Sequence, residues 1–102
     1  MNQQNLDNLI VDYLQRMNDN EDFSINDCII IVKLWNTVQQ DELSKQKLFK
    51  KKFSDLFIEK YLDTVVKILG GQISKGMGYY CPEYDLYIGG VLHQKSQIKF
   101  DN

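Results

Sequence analysis

Cysteine and histidine are the side chains best suited to act as nucleophile and base near neutral pH, and this chain holds only Cys28, Cys81 and a single His93. If the carboxyl-terminal third pairs as a hairpin, Cys81 and His93 fall on neighbouring strands, within reach of a thiol and its base. No third residue stands where it would orient the imidazole, and activated thiols sit at helix N-termini or beside cations. No catalytic residue is therefore expected, and the chain is not read as an enzyme. The two cysteines lie 53 positions apart, which excludes a C-x-x-C redox pair and a zinc site of usual spacing. They read as reduced, structural thiols.

Carboxylates come next. Asp55, Glu59 and Asp63 recur every four residues and line one face of a predicted helix, where Lys67 can pair with Asp63. A magnesium or calcium site needs oxygens converging from more than one helical stripe, so this row reads as a solvated face and no metal is expected. The glycine-rich stretch "GGQISKGMG", residues 70–78, invites comparison with phosphate-cradling loops, but Lys75 precedes Gly76 and Met77 follows it, and the stretch comes after a helix. It reads as a bulge or tight bend at a strand's start, and no nucleotide or other cofactor is expected.

Lysine chemistry is concentrated in "KQKLFKKKF", residues 45–53, which holds Lys45, Lys47, Lys50, Lys51 and Lys52. Three helices followed by a twisted hairpin is the order of a winged-helix domain, so a nucleic-acid-binding regulator is the alternative functional reading. Against it, the helix that would enter the groove carries the acidic row and offers no Arg, Asn or Gln to base edges. The whole chain has one arginine.

The densest chemistry is aromatic. "GMGYYCPEYDLYIGG", residues 76–90, packs four of the six tyrosines, four of the six glycines and the only proline into fifteen positions. Adjacent strand residues face opposite sides, so Tyr79, Tyr80, Tyr84 and Tyr87 cannot all point inward. Tyrosine gives a large rigid contact area and a hydroxyl satisfied either by water or by a partner. Tyr80, Glu83, Asp85 and Tyr87, around the Pro82 turn, are the candidate partner-binding residues.

The elements that must position these groups read as α+β: three to four N-terminal helices, about 4–69, then a small C-terminal antiparallel three-stranded sheet, about 72–100. Leu6, Leu9, Ile10, Tyr13, Leu14 and Met17 share one helical face, predicting a helix over 4–18 that stops in "NDNEDF". Ser24, with Asp27 three positions on, opens the next helix as a capping box. Its β-branched run Ile29–Val32 favours a strand, but Ile25, Cys28, Ile29, Val32, Trp35 and Val38 keep helical spacing. Ser44 and Ser54 are candidate N-caps for a basic helix, 43–52, and a longer one, 54–69, or for one bent helix; Gly70–Gly71 stops it. The longer helix should bury Phe53, Leu56, Phe57, Tyr61, Val65 and Ile68. Strands are predicted at 72–80, 84–92 and 96–100, with Pro82–Glu83 turning the first pair and "HQKSQ" the second.

Length and composition are those of one domain: 102 residues, 43% hydrophobic, 25% charged. The net charge of −2 is uneven: eight acids against two bases over residues 1–42, ten lysines against six acids over 43–102. With no apolar run longer than "CIIIV" at 28–32 and no leader-like start, a cytoplasmic protein without membrane contact is expected. A small acidic domain of this kind, with no cofactor motif, reads as a protein-binding module of the inhibitor or immunity type, in the manner of anti-CRISPR or antitoxin proteins. Self-pairing through the C-terminal edge "QIKFDN" would make a homodimer.

Overall fold

The computed structural model describes residues 3–41, 47–74 and 76–91. Helices come first, and a three-stranded antiparallel sheet of order β1-β2-β3 follows.

Helix α1 (Gln3–Asn18) buries Ile10, Tyr13 and Met17 and half-buries Leu6, Leu9 and Leu14, so the periodicity named its inner face correctly. It closes where polar residues accumulate. Asn20 adopts the left-handed conformation at φ 58°, and the Glu21 amide donates back to the Arg16 carbonyl at 3.1 Å. Helix α2 (Ile25–Gln40) starts as the capping box predicts. Ser24 Oγ accepts from the Asp27 amide at 3.1 Å while the Ser24 amide donates to Asp27 Oδ2 at 3.4 Å. The β-branched run is helical because the rest of the chain covers it: Cys28, Ile31, Val32, Leu34, Trp35 and Val38 are all buried. Ile25, expected inside, is exposed at the helix's first turn.

The third rod departs from expectation in an instructive way. It is one run, α3 (Leu48–Leu56), a π-helical turn (Phe57–Tyr61) and α4 (Leu62–Leu69). Ser54 lies inside it and caps nothing; its hydroxyl accepts from Gln39 Nε2 at 3.4 Å. Ser44 lies outside the described residues. At the π turn the Leu62 amide bonds the Phe57 carbonyl, five residues back, which inserts one residue and rotates everything after it by about 100°. The buried apolar series is therefore Phe53, Phe57, Ile58, Leu62, Val65 and Leu69. Tyr61 is left half-buried and Ile68 exposed. Gly70 ends the rod at φ 68°, with the Gly71 amide bonded to the Val66 carbonyl at 2.8 Å.

The sheet is tighter than predicted. The expected 72–80 strand folds back on itself as β1 (Gln72–Ser74) and β2 (Gly78–Cys81), turning through Gly76 and Met77, both at positive φ. A short 3-10 turn (Pro82–Tyr84) then leads to β3 (Leu86–Ile88). The turn at "HQKSQ" and the 96–100 strand lie outside the described residues, as does the "QIKFDN" edge. β3 packs on α2 and β2 on α4. Trp35 sits at the junction, its ring centroid 5.1 Å from that of Phe57 and its indole N–H donating to the Gly89 carbonyl at 2.8 Å. Among the described residues no helix is long and apolar enough to cross a membrane.

Candidate functional site

Strand register decides which tyrosines face out. Tyr79 pairs with Ile88, and Cys81 with Leu86; these side chains form the face that meets the helices. Tyr80 pairs with Tyr87 across β2 and β3, and Gln72 extends that row onto β1. The two rings stand side by side on the outer face, 37% and 38% exposed. Tyr79 and Tyr84 are half-buried against the core. Ile73, 76% exposed, pairs with Tyr79 on the other face of the sheet, so Tyr80 and Tyr87 are the exposed aromatic pair of the outer face.

The patch is held rigidly from both sides. Asp85 takes the left-handed conformation at φ 47°, closing the Pro82 turn, and its Oδ1 accepts the Tyr80 hydroxyl proton at 2.6 Å. That bond, to an acceptor carrying negative charge, raises the Tyr80 phenol above its ordinary pKa. Tyr87 lies across the glycine hairpin. A Cβ at Gly78 would come 2.7 Å from its hydroxyl and 2.3 Å from the Ile88 carbonyl oxygen, so only glycine fits there. Beneath, Asn36 on α2 clamps the strand end: its Nδ2 donates to the Tyr87 carbonyl at 2.6 Å and its Oδ1 accepts from the Gly89 amide at 3.1 Å. Glu83, on the same turn as Asp85, is exposed.

The other residues singled out by type end up elsewhere. Cys81 is completely buried and its thiol is pushed up by burial, which disfavours the thiolate a nucleophile needs; His93 lies outside the described residues. Asp55, Glu59 and Asp63 are exposed on α3, the π turn and α4, and among the described residues no three acidic, cysteine or histidine side chains are grouped to hold a metal ion. The lysine run does not form one basic surface. Lys50 is buried, 1% exposed, with its Nζ 3.0 Å from Asp7 Oδ1, so it cannot meet a phosphate as the nucleic-acid alternative required. Lys47 lies 3.8 Å from the same carboxylate, Lys51 pairs with Asp55 at 3.5 Å, Lys52 is exposed, and Lys45 is outside the described residues.

Two features were not anticipated from the sequence. A surface groove of ≈ 560 Å³ runs between the α1–α2 loop and the third rod, with Phe23, Cys28, Val65 and Ile68 giving an apolar lining. Two of its charges are engaged nearby, Glu21 with Arg16 at 3.4 Å and Lys60 with Asn20 Oδ1 at 3.4 Å, while Asp22 on the same rim is exposed. Beside it lies a three-membered cluster. The Tyr13 hydroxyl donates to Asp27 Oδ1 at 2.7 Å, Arg16 Nη2 donates to Asp27 Oδ2 at 3.1 Å, and the Arg16 guanidinium carbon stands 4.9 Å from the Tyr13 ring centroid. The only sequence signal for it was that the sole arginine sits three residues after a tyrosine on the same helix. Burial and the bond to Asp27 push the Tyr13 phenol up to about 12, while the Tyr13 hydroxyl bond, with those from Arg16 and Ser24, lowers Asp27.

No protein family matches the chain, and neither a curated protein nor a solved structure matches it. What it does has to be read from its own side chains.

Proposed function

We propose that the chain is a small protein-binding module, of the inhibitor or immunity type, that docks on another protein through the outer face of its sheet. The observation that carries this reading is the Tyr80–Tyr87 pair: two adjacent aromatic rings, each more than a third exposed, on paired strands of which β3 and the residue after it are bonded to α2 through Asn36 and Trp35. Rings held in place lose little entropy on binding, and a tyrosine hydroxyl stays satisfied in the free and bound states, which suits an interface anchor. Docking requires no catalytic step, in keeping with the buried Cys81 thiol. The burial of Lys50 and the ion pairs of Lys47 and Lys51 weigh against phosphate binding as the main role.

The experiment is affinity capture from the source cell with the wild-type chain and a Tyr80→Ala variant in parallel, the variant first shown to keep its circular dichroism and melting temperature. A protein retained by the wild type and lost from the variant supports the role. Equal retention by both excludes this face as the docking surface. Retention on duplex DNA that falls steeply with salt and with Lys51→Ala and Lys52→Ala would favour the nucleic-acid role instead.

A further inference from the structure

The seam between α1 and α2 and the outer face of the sheet contain the same two groups in nearly the same relation. Tyr13 donates to Asp27 Oδ1 at 2.7 Å, and Tyr80 donates to Asp85 Oδ1 at 2.6 Å. In the seam a third group completes the set: the Arg16 guanidinium lies over the tyrosine ring and donates to the second carboxylate oxygen. On the sheet no such third group is found among the described residues. Among the described residues neither Asp85 nor Glu83 forms an ion pair, and the sequence from Gly76 to Val91 contains both acids and no lysine, arginine or histidine. A carboxylate that accepts one phenol proton keeps lone pairs on its other oxygen for a further donor.

We infer that the outer face takes an arginine-bearing segment of its partner protein, the guanidinium lying against the Tyr80 and Tyr87 rings and donating to Asp85, with Glu83 as a second acceptor. This rests on the docking role proposed above and names its partner's chemistry. Charge and geometry select the occupant. A nucleic acid or an acidic peptide would meet two carboxylates and be repelled, and a second copy of this face would set acids against acids. A purely apolar partner would strip water from Asp85 and Glu83 and return no bond. Lysine satisfies the charge, but as a point cation it lacks the planar fork that stacks on a ring and bonds a carboxylate together.

The test is an unbiased selection. A random heptapeptide library displayed on phage is panned against the immobilised full chain. Recovered peptides are then synthesised, and their affinities measured by fluorescence anisotropy with the wild type, Tyr80→Ala and Asp85→Asn. Asparagine tolerates the left-handed backbone at 85, so that variant keeps the turn. The expected peptides contain arginine, bind on the order of tenfold more weakly when citrulline replaces it, and lose a similar factor against Asp85→Asn. Peptides that need Tyr80 but are indifferent to citrulline or to Asp85→Asn overturn the arginine assignment and leave the docking role standing. Peptides indifferent to Tyr80→Ala, or no enrichment at all, overturn both.

Discussion

Two tyrosine–aspartate hydrogen bonds of almost equal length sit in contrasting surroundings. Tyr13–Asp27 joins two helices, is closed over by Arg16, and has its ring 3% exposed; Tyr80–Asp85 spans a single turn, with its ring 37% exposed and, among the described residues, no ion pair to its carboxylate. The local chemistry is shared, so the difference lies in what surrounds it. Where the chain supplies its own guanidinium and partial shelter from water, the carboxylate holds the fold together. Where it supplies neither, the same pair adds little to stability and retains capacity for an outside donor. One region has spent its bonding potential on folding; the other has kept it.

The contrast breaks most visibly at Asp27. Asp27→Ala removes the N3 member of the capping box and the acceptor for Tyr13 and Arg16 together, an expected loss of about 3 kcal/mol: ~1 from the cap and ~2 from charge-assisted bonds. Urea denaturation would measure it, and a loss below about 1 kcal/mol would mean that the cluster is not closed in solution. Lys50 tests a second buried charge. Lys50→Met leaves the Asp7 carboxylate, itself 23% exposed, with a more distant lysine, and should cost about 2 kcal/mol. Lys52→Met, two residues on and exposed, should stay within about 0.5 kcal/mol.

The pH dependence follows from the same cluster. Asp27 has a folded pKa below its ordinary 3.8, so its contribution is complete above that value and is lost as pH falls through the lower folded value. Tyr13 shifts the other way, from 10.0 to about 12, and Cys28 from 9.0 to about 11. Each contributes fully below its unfolded pKa, and the contribution disappears as pH rises through the folded one. Stability measured by urea midpoints should thus decline between pH 9 and pH 12. Tyr13→Phe should remove the later part of the decline, on the order of 2 kcal/mol, and leave the Cys28 part in place. An unchanged profile would show that Tyr13 is not held as described.

How much of this was legible beforehand depended on whether the information was local. The capping box at Ser24 and the stop at Gly70 are written in a few adjacent residues, and both appear where the sequence placed them. Helix α1's apolar face was equally clear, because one uninterrupted period generates it. The helical state of Ile29–Val32 was a competition between β propensity and spacing that burial on several sides resolved in favour of helix. The π turn was invisible, since one inserted residue leaves each half of the rod with a normal period and changes only the phase between them. Tyr61 and Ile68 were placed inside for that reason. Nor did the lysine run announce that Lys50 faces Asp7 across the helix packing, a pairing 43 positions apart in the chain. The exposed tyrosines were easier: alternation along a strand forces neighbours apart, and Tyr79 and Tyr80 obey it. The meeting of Tyr80 with Tyr87 needed the register, which depends on a turn of Pro82 to Asp85 that proline and a left-handed aspartate make compact.

The smallest expected effect is also the sharpest test of the contrast. Tyr80→Phe deletes the outer hydrogen bond and Asp85→Asn removes the charge of its acceptor, each while keeping ring and turn, and neither should move the urea midpoint, because water takes up what is lost at an exposed site. What should move is titration. Phenol ionisation followed at the Tyr80 ring carbon by NMR should lie above the ordinary 10.0 in the wild type, because Asp85 holds the proton, and should fall toward that value in Asp85→Asn. The direction is opposite to what added positive charge would cause, so an arginine peptide bound to the wild type should also lower it by drawing the carboxylate to itself and placing a cation over the ring. A Tyr80 titration indifferent to Asp85→Asn would mean that the bond is absent in solution, and with it the likeness to the α1–α2 seam on which the arginine assignment depends.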